Sequence, residues 1–183
     1  MADLNKFNNI EFLKDGNEVQ KRSYQIIKDN RIMEILQDFQ PLLTGTIPIE
    51  INTESSDLDI ICYWENNERK QELKSIMLKE FSKFTDFNIR EYIREGKEVL
   101  FSDFKIDGME FEIFTQNIPT KQQNAYRHMV VEYQILLEKD QDFKNEIINL
   151  KKSGLRTEPA FGKLLNISGN PYDELLVFKH SYN

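Results

Sequence analysis

The stretch Ser56-Asp57-Leu58-Asp59-Ile60-Ile61-Cys62 decides how the rest of this chain is interpreted. Residues two apart on a strand point to the same face, roughly 6.6 Å apart, so Asp57 and Asp59 should project together while Leu58 and Ile60 face the core. Two neighbouring carboxylates disfavour each other's ionisation, and a bound cation offsets that repulsion. Magnesium suits such a pair, because it takes one or two protein carboxylates together with waters and phosphate oxygens. The stretch predicts a divalent-metal site at the start of a buried strand.

The residues before this pair strengthen the prediction, because a solvated strand end can also carry two acids by chance. Gly45-Thr46 stands twelve residues before Asp57. A glycine lets backbone N–H groups approach a phosphate closely, and a neighbouring hydroxyl adds a hydrogen bond. Ser56 supplies a second hydroxyl directly before Asp57. We therefore expect Gly45, Thr46 and Ser56 to form a phosphate-binding segment beside the metal.

A third carboxylate is expected from a later strand. Residues 98–106 and 109–115 are predicted to be two strands joined by Asp107-Gly108, a strong hairpin signal between apolar runs. Glu110 and Glu112 share one face of the second strand. We favour Glu112 as the third ligand, because apolar neighbours flank it deeper in the strand, whereas Glu110 lies close to the turn.

Hydrophobic periodicity predicts helices around these strands. The predicted helices cover residues 17–39, 66–84, 119–139, 142–152, 158–165 and 171–178. A further strand is predicted at residues 87–93, and residues 47–51 are expected to be extended after a turn-prone start at Gly45-Thr46. The expected fold class is α+β, with a mixed sheet flanked by helices. Residues 1–118 should form the core with its N-terminal helix, and residues 119–183 a C-terminal helical region packed on it.

Composition limits the classes of function. A chain of 183 residues suits one domain, and its net charge of −7 without a basic stripe disfavours binding to a long nucleic acid. The single cysteine, Cys62, cannot form an intrachain disulfide, which fits a reducing compartment. No window approaches 18 apolar residues and no signal peptide is evident. We therefore expect a cytoplasmic protein with no membrane span.

The motifs as a set resemble the nucleotidyltransferase superfamily of the DNA polymerase β type. The resemblance rests on Gly45-Thr46, on Asp57-Leu58-Asp59-Ile60 and on the later strand with an acid between apolar residues. It implies that Asp57, Asp59 and Glu112 are catalytic carboxylates that bind metal, Mg²⁺ or Mn²⁺. It also implies that Gly45 and Thr46 contact the triphosphate of a nucleoside triphosphate.

The chain as a whole also resembles a bacterial family of nucleotidyltransferase-like proteins built on a domain of unknown function. This resemblance covers most of the chain and rests on four segments, residues 45–49, 56–62, 123–129 and 157–161. It implies the fold and a candidate site but leaves the acceptor open. The acidic net charge favours a small molecule or a protein as acceptor over a long nucleic acid.

Secondary candidates lie on the predicted C-terminal helices. Active members of the superfamily often carry an arginine shortly after the glycine-serine pair, and residues 47–51 contain no basic residue. Arg127, on the polar side of the long helix, is a candidate phosphate clamp, with a surface ion pair as the alternative. His128 is expected to pack between helices, and Glu158 to belong to a helix start capped by Thr157. A site role for His128 or Glu158 stays open.

Three functions fit these observations. The first is a metal-dependent nucleotidyltransferase, which moves a nucleoside monophosphate from a triphosphate to an unknown acceptor. The missing arginine supports a second, a catalytically degenerate module of the same fold that binds a nucleotide or a protein. The third is a metal-dependent glycosyltransferase, whose Asp-x-Asp motif usually follows a longer nucleotide-binding sheet than the 56 residues before Asp57 allow.

Overall fold

The fold is built on one mixed sheet of five strands, in the order β1-β2-β5-β4-β3. The computed structural model describes residues 3–178. Its strands are β1 (Leu42–Thr44), β2 (Leu58–Tyr63), β3 (Thr85–Arg94), β4 (Lys97–Ile106) and β5 (Met109–Gln116). β2 and β5 pair in parallel, and the other neighbours pair antiparallel. The expected mixed sheet flanked by helices is confirmed.

Helices cover both faces of this sheet. They are α1 (Glu18–Asp29), α2 (Ile32–Ile35), α3 (Asn67–Phe81), α4 (Asn124–Glu138), α5 (Gln141–Lys152), α6 (Thr157–Leu164) and α7 (Pro171–Glu174). Parallel strands need a long crossover connection, and α3 with the β3–β4 hairpin provides it between β2 and β5. Within residues 3–178, no helix is long and apolar enough to cross a membrane.

The turn between β4 and β5 has the geometry that its sequence predicts. Asp107 and Gly108 both have positive φ, 51° and 76°, as the two central residues of a type I′ turn require. Ile106 pairs with Met109 directly across the turn. The turn thereby fixes the register of β5, and with it the position of Glu112.

The single helix predicted for residues 17–39 is wrong. α1 ends at Asp29, and Arg31 adopts a left-handed conformation with φ 55°. The Asn30 side chain donates a hydrogen bond to the Ile26 carbonyl at 2.9 Å, which satisfies a carbonyl at the end of α1. The break redirects the chain so that Ile32 is fully buried in the core.

The extended conformation predicted for residues 47–51 is also wrong. The Glu50 N–H donates to the Ile47 carbonyl at 3.2 Å, and the Ile51 N–H donates to the Thr46 carbonyl at 3.1 Å. Pro48 is the second residue of this turn, where its fixed φ is favourable. Three isoleucines of the segment are buried by the turn: Ile47, Ile49 and Ile51.

Two apolar clusters pack on opposite faces of the sheet. Leu58 and Ile60 belong to the cluster beneath α1, α2 and α3. Ile61 belongs to the other cluster, where it joins Met129 and Phe161 from the C-terminal helices. Because side chains alternate along a strand, Asp59 shares the face of Ile61 and points toward the C-terminal helices. The division of the chain at residue 119 stays a prediction, and residues from both sides of it share this second cluster.

Candidate active site

Three carboxylates predicted from the sequence come together at the middle of the sheet. Asp57 lies directly before β2, and Asp59 lies within it. Glu112 lies opposite Asp59 on the neighbouring parallel strand β5. One ligand oxygen from each residue lies within 4.8 Å of the others. We call Asp57, Asp59 and Glu112 the strand triad. Their spacing suits shared coordination of a cation.

The register also separates the two candidate glutamates of β5. Glu112 is partly buried and lies opposite Asp59, whereas Glu110 is exposed and lies opposite Lys105 on β4. The geometry places Glu112, and not Glu110, in the strand triad.

Gly45 makes room for the strand triad. It follows β1 with φ 78°, and a Cβ at this position would lie 2.1 Å from Oδ2 of Asp59. Any other side chain would therefore both strain the backbone and displace a carboxylate. The glycine fits a close approach between this turn and the triad.

Two predicted hydroxyls meet beside Gly45. Thr46 Oγ1 and Ser56 Oγ are 3.2 Å apart, and the backbone N–H of Thr53 donates to Ser56 Oγ at 2.9 Å. The chain thus brings the loop before β2 against the turn after β1. A contact of Gly45, Thr46 or Ser56 with a nucleotide stays a prediction.

The acidic groups of the strand triad repel one another, and nearby basic groups do not balance this repulsion. Burial raises the pKa of Asp59 well above its usual value, and the nearby charges of Asp57 and Glu112 raise it further. Burial is the main reason that the pKa of Glu112 is raised to about 7, and the negative charge of Asp57 adds to the shift. In residues 3–178, no lysine or arginine forms an ion pair with any member of the triad. A bound cation would relieve this repulsion.

Lys151 is a candidate residue that the sequence interpretation missed. It lies in the last turn of α5, and its Nζ donates a hydrogen bond to the Ile51 carbonyl at 2.7 Å. Burial lowers its pKa to about 8, while the charges of Glu132, Asp57 and Asp59 act in the opposite direction. The basic pair Lys151-Lys152 is visible in the sequence, but a helix end explains it equally well. Only the packing of α5 shows that Lys151 turns toward the carboxylates.

The structure locates two polar residues at the start of the long helix, Gln123 and Arg127. Arg127 is exposed on α4 and donates a hydrogen bond to Oδ1 of Asn124 at 3.3 Å. Its role at a nucleotide stays a prediction. Gln123, at the N-cap position of α4, is buried, and its Nε2 donates to the carbonyls of Cys62 and Ile118. Gln123 therefore ties the start of α4 to the end of β2.

A second group of potential ligands lies on the C-terminal helices. His128 and Glu132 on α4 and Glu158 on α6 each place one ligand atom within 4.8 Å of the others. We call these residues the helix triad. The burial of His128 is consistent with its predicted packing role, whereas the sequence motifs do not predict a role for Glu132. The four-residue spacing of His128 and Glu132 is a sequence signal that could have found it.

The start of α6 differs from the prediction. α6 begins at Thr157, with Arg156 at the N-cap position and no side-chain capping hydrogen bond. Thr157 is therefore the first helical residue and not the cap. Glu158 therefore lies in the first turn of α6, where its carboxylate approaches His128 and Glu132.

The sequence matches the family model described as "Domain of unknown function (DUF4269)" over residues 25–178. The chain belongs to the DUF4269 family. No curated protein matches the sequence of this DUF4269 member.

Solved structures of a poly(U) polymerase and of an RNA terminal U-transferase share this fold. The Cid1 poly(U) polymerase with MgGTP bound superimposes with a TM-score of 0.53 at 11% identity, covering 78% of this chain and 46% of that one. Its complex with Mg 3'-dATP gives a TM-score of 0.54 at 11% identity, with coverage of 91% and 52%. A cytoplasmic RNA terminal U-transferase gives 0.50 at 11% identity, with coverage of 78% and 43%. The DUF4269 chain thus has a nucleotidyltransferase fold and spans about half the length of these neighbours.

Proposed function

We propose that this protein is a divalent-metal-dependent nucleotidyltransferase that moves a nucleoside monophosphate from a nucleoside triphosphate to an acceptor. The observation that carries the proposal is the strand triad, placed against the Gly45 turn on a nucleotidyltransferase fold. Three carboxylates from adjacent strands fit the oxygen-rich coordination that Mg²⁺ and Mn²⁺ prefer.

The residues present fit such a metal. Asp57, Asp59 and Glu112 offer oxygen ligands and lack basic partners among the described residues, and Gly45 leaves the space beside Asp59 free of a side chain. These three carboxylates would hold the ion, with Mg²⁺ as first choice. When bound, the metal supplies Lewis-acid polarisation of phosphate oxygens and charge neutralisation.

The chain's own groups would orient the nucleotide. The hydroxyls of Thr46 and Ser56 lie together at the turn and are donors for phosphate oxygens. Lys151 supplies a positive charge within electrostatic reach of Asp57 and Asp59, so it can serve where the arginine after Gly45-Thr46 is missing. In the reaction, an acceptor oxygen forms a bond to the α-phosphorus, the bond to the β-phosphate oxygen breaks, and pyrophosphate leaves. The acceptor's proton is released.

The fold favours nucleotidyl over glycosyl transfer, because the solved neighbours are nucleotidyltransferases. The acceptor is proposed to be a small molecule or a protein, since the net charge of −7 disfavours a long nucleic acid. A cytoplasmic location also belongs to this proposal.

The test is transfer of label from triphosphates labelled at the α-phosphate, with Mg²⁺ or Mn²⁺ present. Separate reactions should offer a small-molecule extract, a protein extract and total RNA as acceptors. We expect label to appear in the small-molecule or protein reaction and to be lost with Asp57→Ala. Glu112→Gln should reduce the rate roughly 100-fold, since an ionic ligand is worth several kcal/mol. Glu110→Gln, on the same face of β5, is the matched control and should keep the rate.

Two results would count against the proposal. Equal label transfer by wild type and Asp57→Ala would exclude the strand triad as the catalytic centre. Stabilisation by Mg-nucleotide, without transfer to any acceptor, would identify a degenerate binding module. Nucleotide at 100 times its Kd stabilises a protein by ~2.7 kcal/mol, which thermal unfolding detects.

A further inference from the structure

The helix triad combines one imidazole with two carboxylates. His128 and Glu132 are four residues apart on α4, so their side chains project from the same helix face. Glu158 reaches the same point from the first turn of α6. A ligand atom from each residue lies within 4.8 Å of the others. None of these residues is a member of the strand triad.

Two polar atoms of this cluster are buried without partners. The exposed fractions are 7% for His128 and 4% for Glu132. Among residues 3–178, His128 Nδ1 and Glu132 Oε1 are buried and have no hydrogen-bond partner. A buried polar atom without a partner destabilises a fold unless a water or an ion satisfies it. These two atoms therefore indicate that a water or an ion binds within the cluster.

Among the described residues, no basic side chain forms an ion pair with the carboxylates of the helix triad. The charges of Glu132 and Glu158 act to raise the pKa of Lys151, yet its Nζ donates its hydrogen bond to the Ile51 carbonyl. In the part of the chain that the structure describes, neither glutamate forms an ion pair. The space that remains is confined, because the Tyr172 ring packs edge-on against the His128 ring with centroids 6.3 Å apart.

We propose that His128, Glu132 and Glu158 form a second divalent-metal site, for an ion of the transition-metal class such as Zn²⁺. One imidazole and two carboxylates form a donor set that suits such ions. The strand triad, with oxygen ligands alone, suits Mg²⁺ instead. The second ion joins α4 to α6 and thereby holds the C-terminal helices together. This site does not depend on the proposed nucleotidyl transfer.

The test uses untagged full-length protein with Asp57→Asn and Asp59→Asn, which removes the ligands of the strand triad. Titration with Co²⁺ should produce visible absorption that saturates at one equivalent, and Zn²⁺ should abolish it. Adding His128→Gln should eliminate the signal. Glu132→Gln and Glu158→Gln should each weaken binding at least 10-fold, because each removes a direct ligand and changes beyond the ligands already cost 10–100-fold.

The second histidine of the chain provides the matched control. His180 lies outside the described residues, and His180→Gln should leave the Co²⁺ signal unchanged. Circular dichroism should first show that each variant is folded. If a variant does not fold, imidazole ¹⁵N spectra of the wild-type protein decide, since Zn²⁺ should shift one histidine of two.

Two outcomes would overturn the site. One is equal Co²⁺ binding by the His128→Gln and His180→Gln proteins. The other is a His128 resonance that moves with an organic amine but not with Zn²⁺, which would identify an amine pocket in place of a metal site.

Discussion

The strand triad and the helix triad are two acidic clusters that differ in ligand chemistry and in access. The strand triad has three carboxylates that are each partly buried, whereas His128 and Glu132 of the helix triad are almost fully buried. A partly open site can exchange a substrate together with its metal. A closed site with an imidazole suits an ion that stays in place. Under the two proposals above, catalysis belongs to the sheet and structural support to the helices.

Removal of one ligand from the strand triad should have the largest effect on activity. Asp59→Asn should lower nucleotidyl transfer about 10³-fold, because the stabilisation that a bound metal supplies is worth several kcal/mol. Without metal at pH 7, the same change should increase the free energy of unfolding. The reason is that the raised pKa of Asp59 shows that the folded protein disfavours the ionised carboxylate.

Transfer assays and denaturant unfolding in EDTA measure these two effects. The variant should still bind Co²⁺ at the helix triad, and Asp86→Asn, an exposed aspartate on β3, is the control for a surface change. Loss of stability in Asp59→Asn would show that the carboxylate has a structural role instead.

The second prediction concerns Lys151, which lies within electrostatic reach of both triads. Lys151→Met should reduce kcat/KM for the triphosphate about 10–100-fold, since a hydrogen bond to a charged group is worth ~1.5–3 kcal/mol. Lys151→Arg keeps the charge and should recover part of the loss. Steady-state kinetics with varied nucleotide measure both. An unchanged KM and kcat in Lys151→Met would remove this residue from the nucleotide site.

The stability of the helix triad should depend on pH. Burial raises the pKa of Glu132 from 4.5 to about 8, so the folded protein holds a proton there that the unfolded chain releases above pH 4.5. This contribution to stability is complete below pH 4.5 and is lost as pH rises toward 8. Its slope reaches ~1.4 kcal/mol per pH unit.

Urea unfolding in EDTA between pH 5 and pH 8 tests this dependence. Glu132→Gln should remove the part of the slope that belongs to Glu132, while Asp59 and Glu112 keep theirs. Lys151, whose pKa is lowered from 10.5 to about 8, contributes only near the upper end of this range, where it opposes the loss of stability. Identical slopes in both proteins would mean that Glu132 is ionised in the fold.

The two triads also differ in how far the sequence predicted them. The alternation of side chains along β2 specifies which face of the sheet Asp59 occupies, and the turn at Asp107-Gly108 specifies the register of β5. Local patterns could therefore place Asp59 and Glu112 together. The helix triad depends on how α6 packs against α4, which no local pattern encodes. The same limit applies to Lys151, whose orientation follows from the packing of α5. The break at Arg31 and the turn at Pro48 were missed because burial in the core overrode the local pattern.

The parallel pairing of β2 with β5 has a consequence for the order of folding. β3, β4 and β5 form consecutive hairpins that we expect to close early, whereas β2 pairs with β5 only across a crossover that spans residues 64–108. We therefore expect Asp59 and Glu112 to meet at a late step of folding. A metal that needs both carboxylates binds the completed fold and not its precursors. Such a metal would slow the unfolding of this protein and leave its folding rate nearly unchanged.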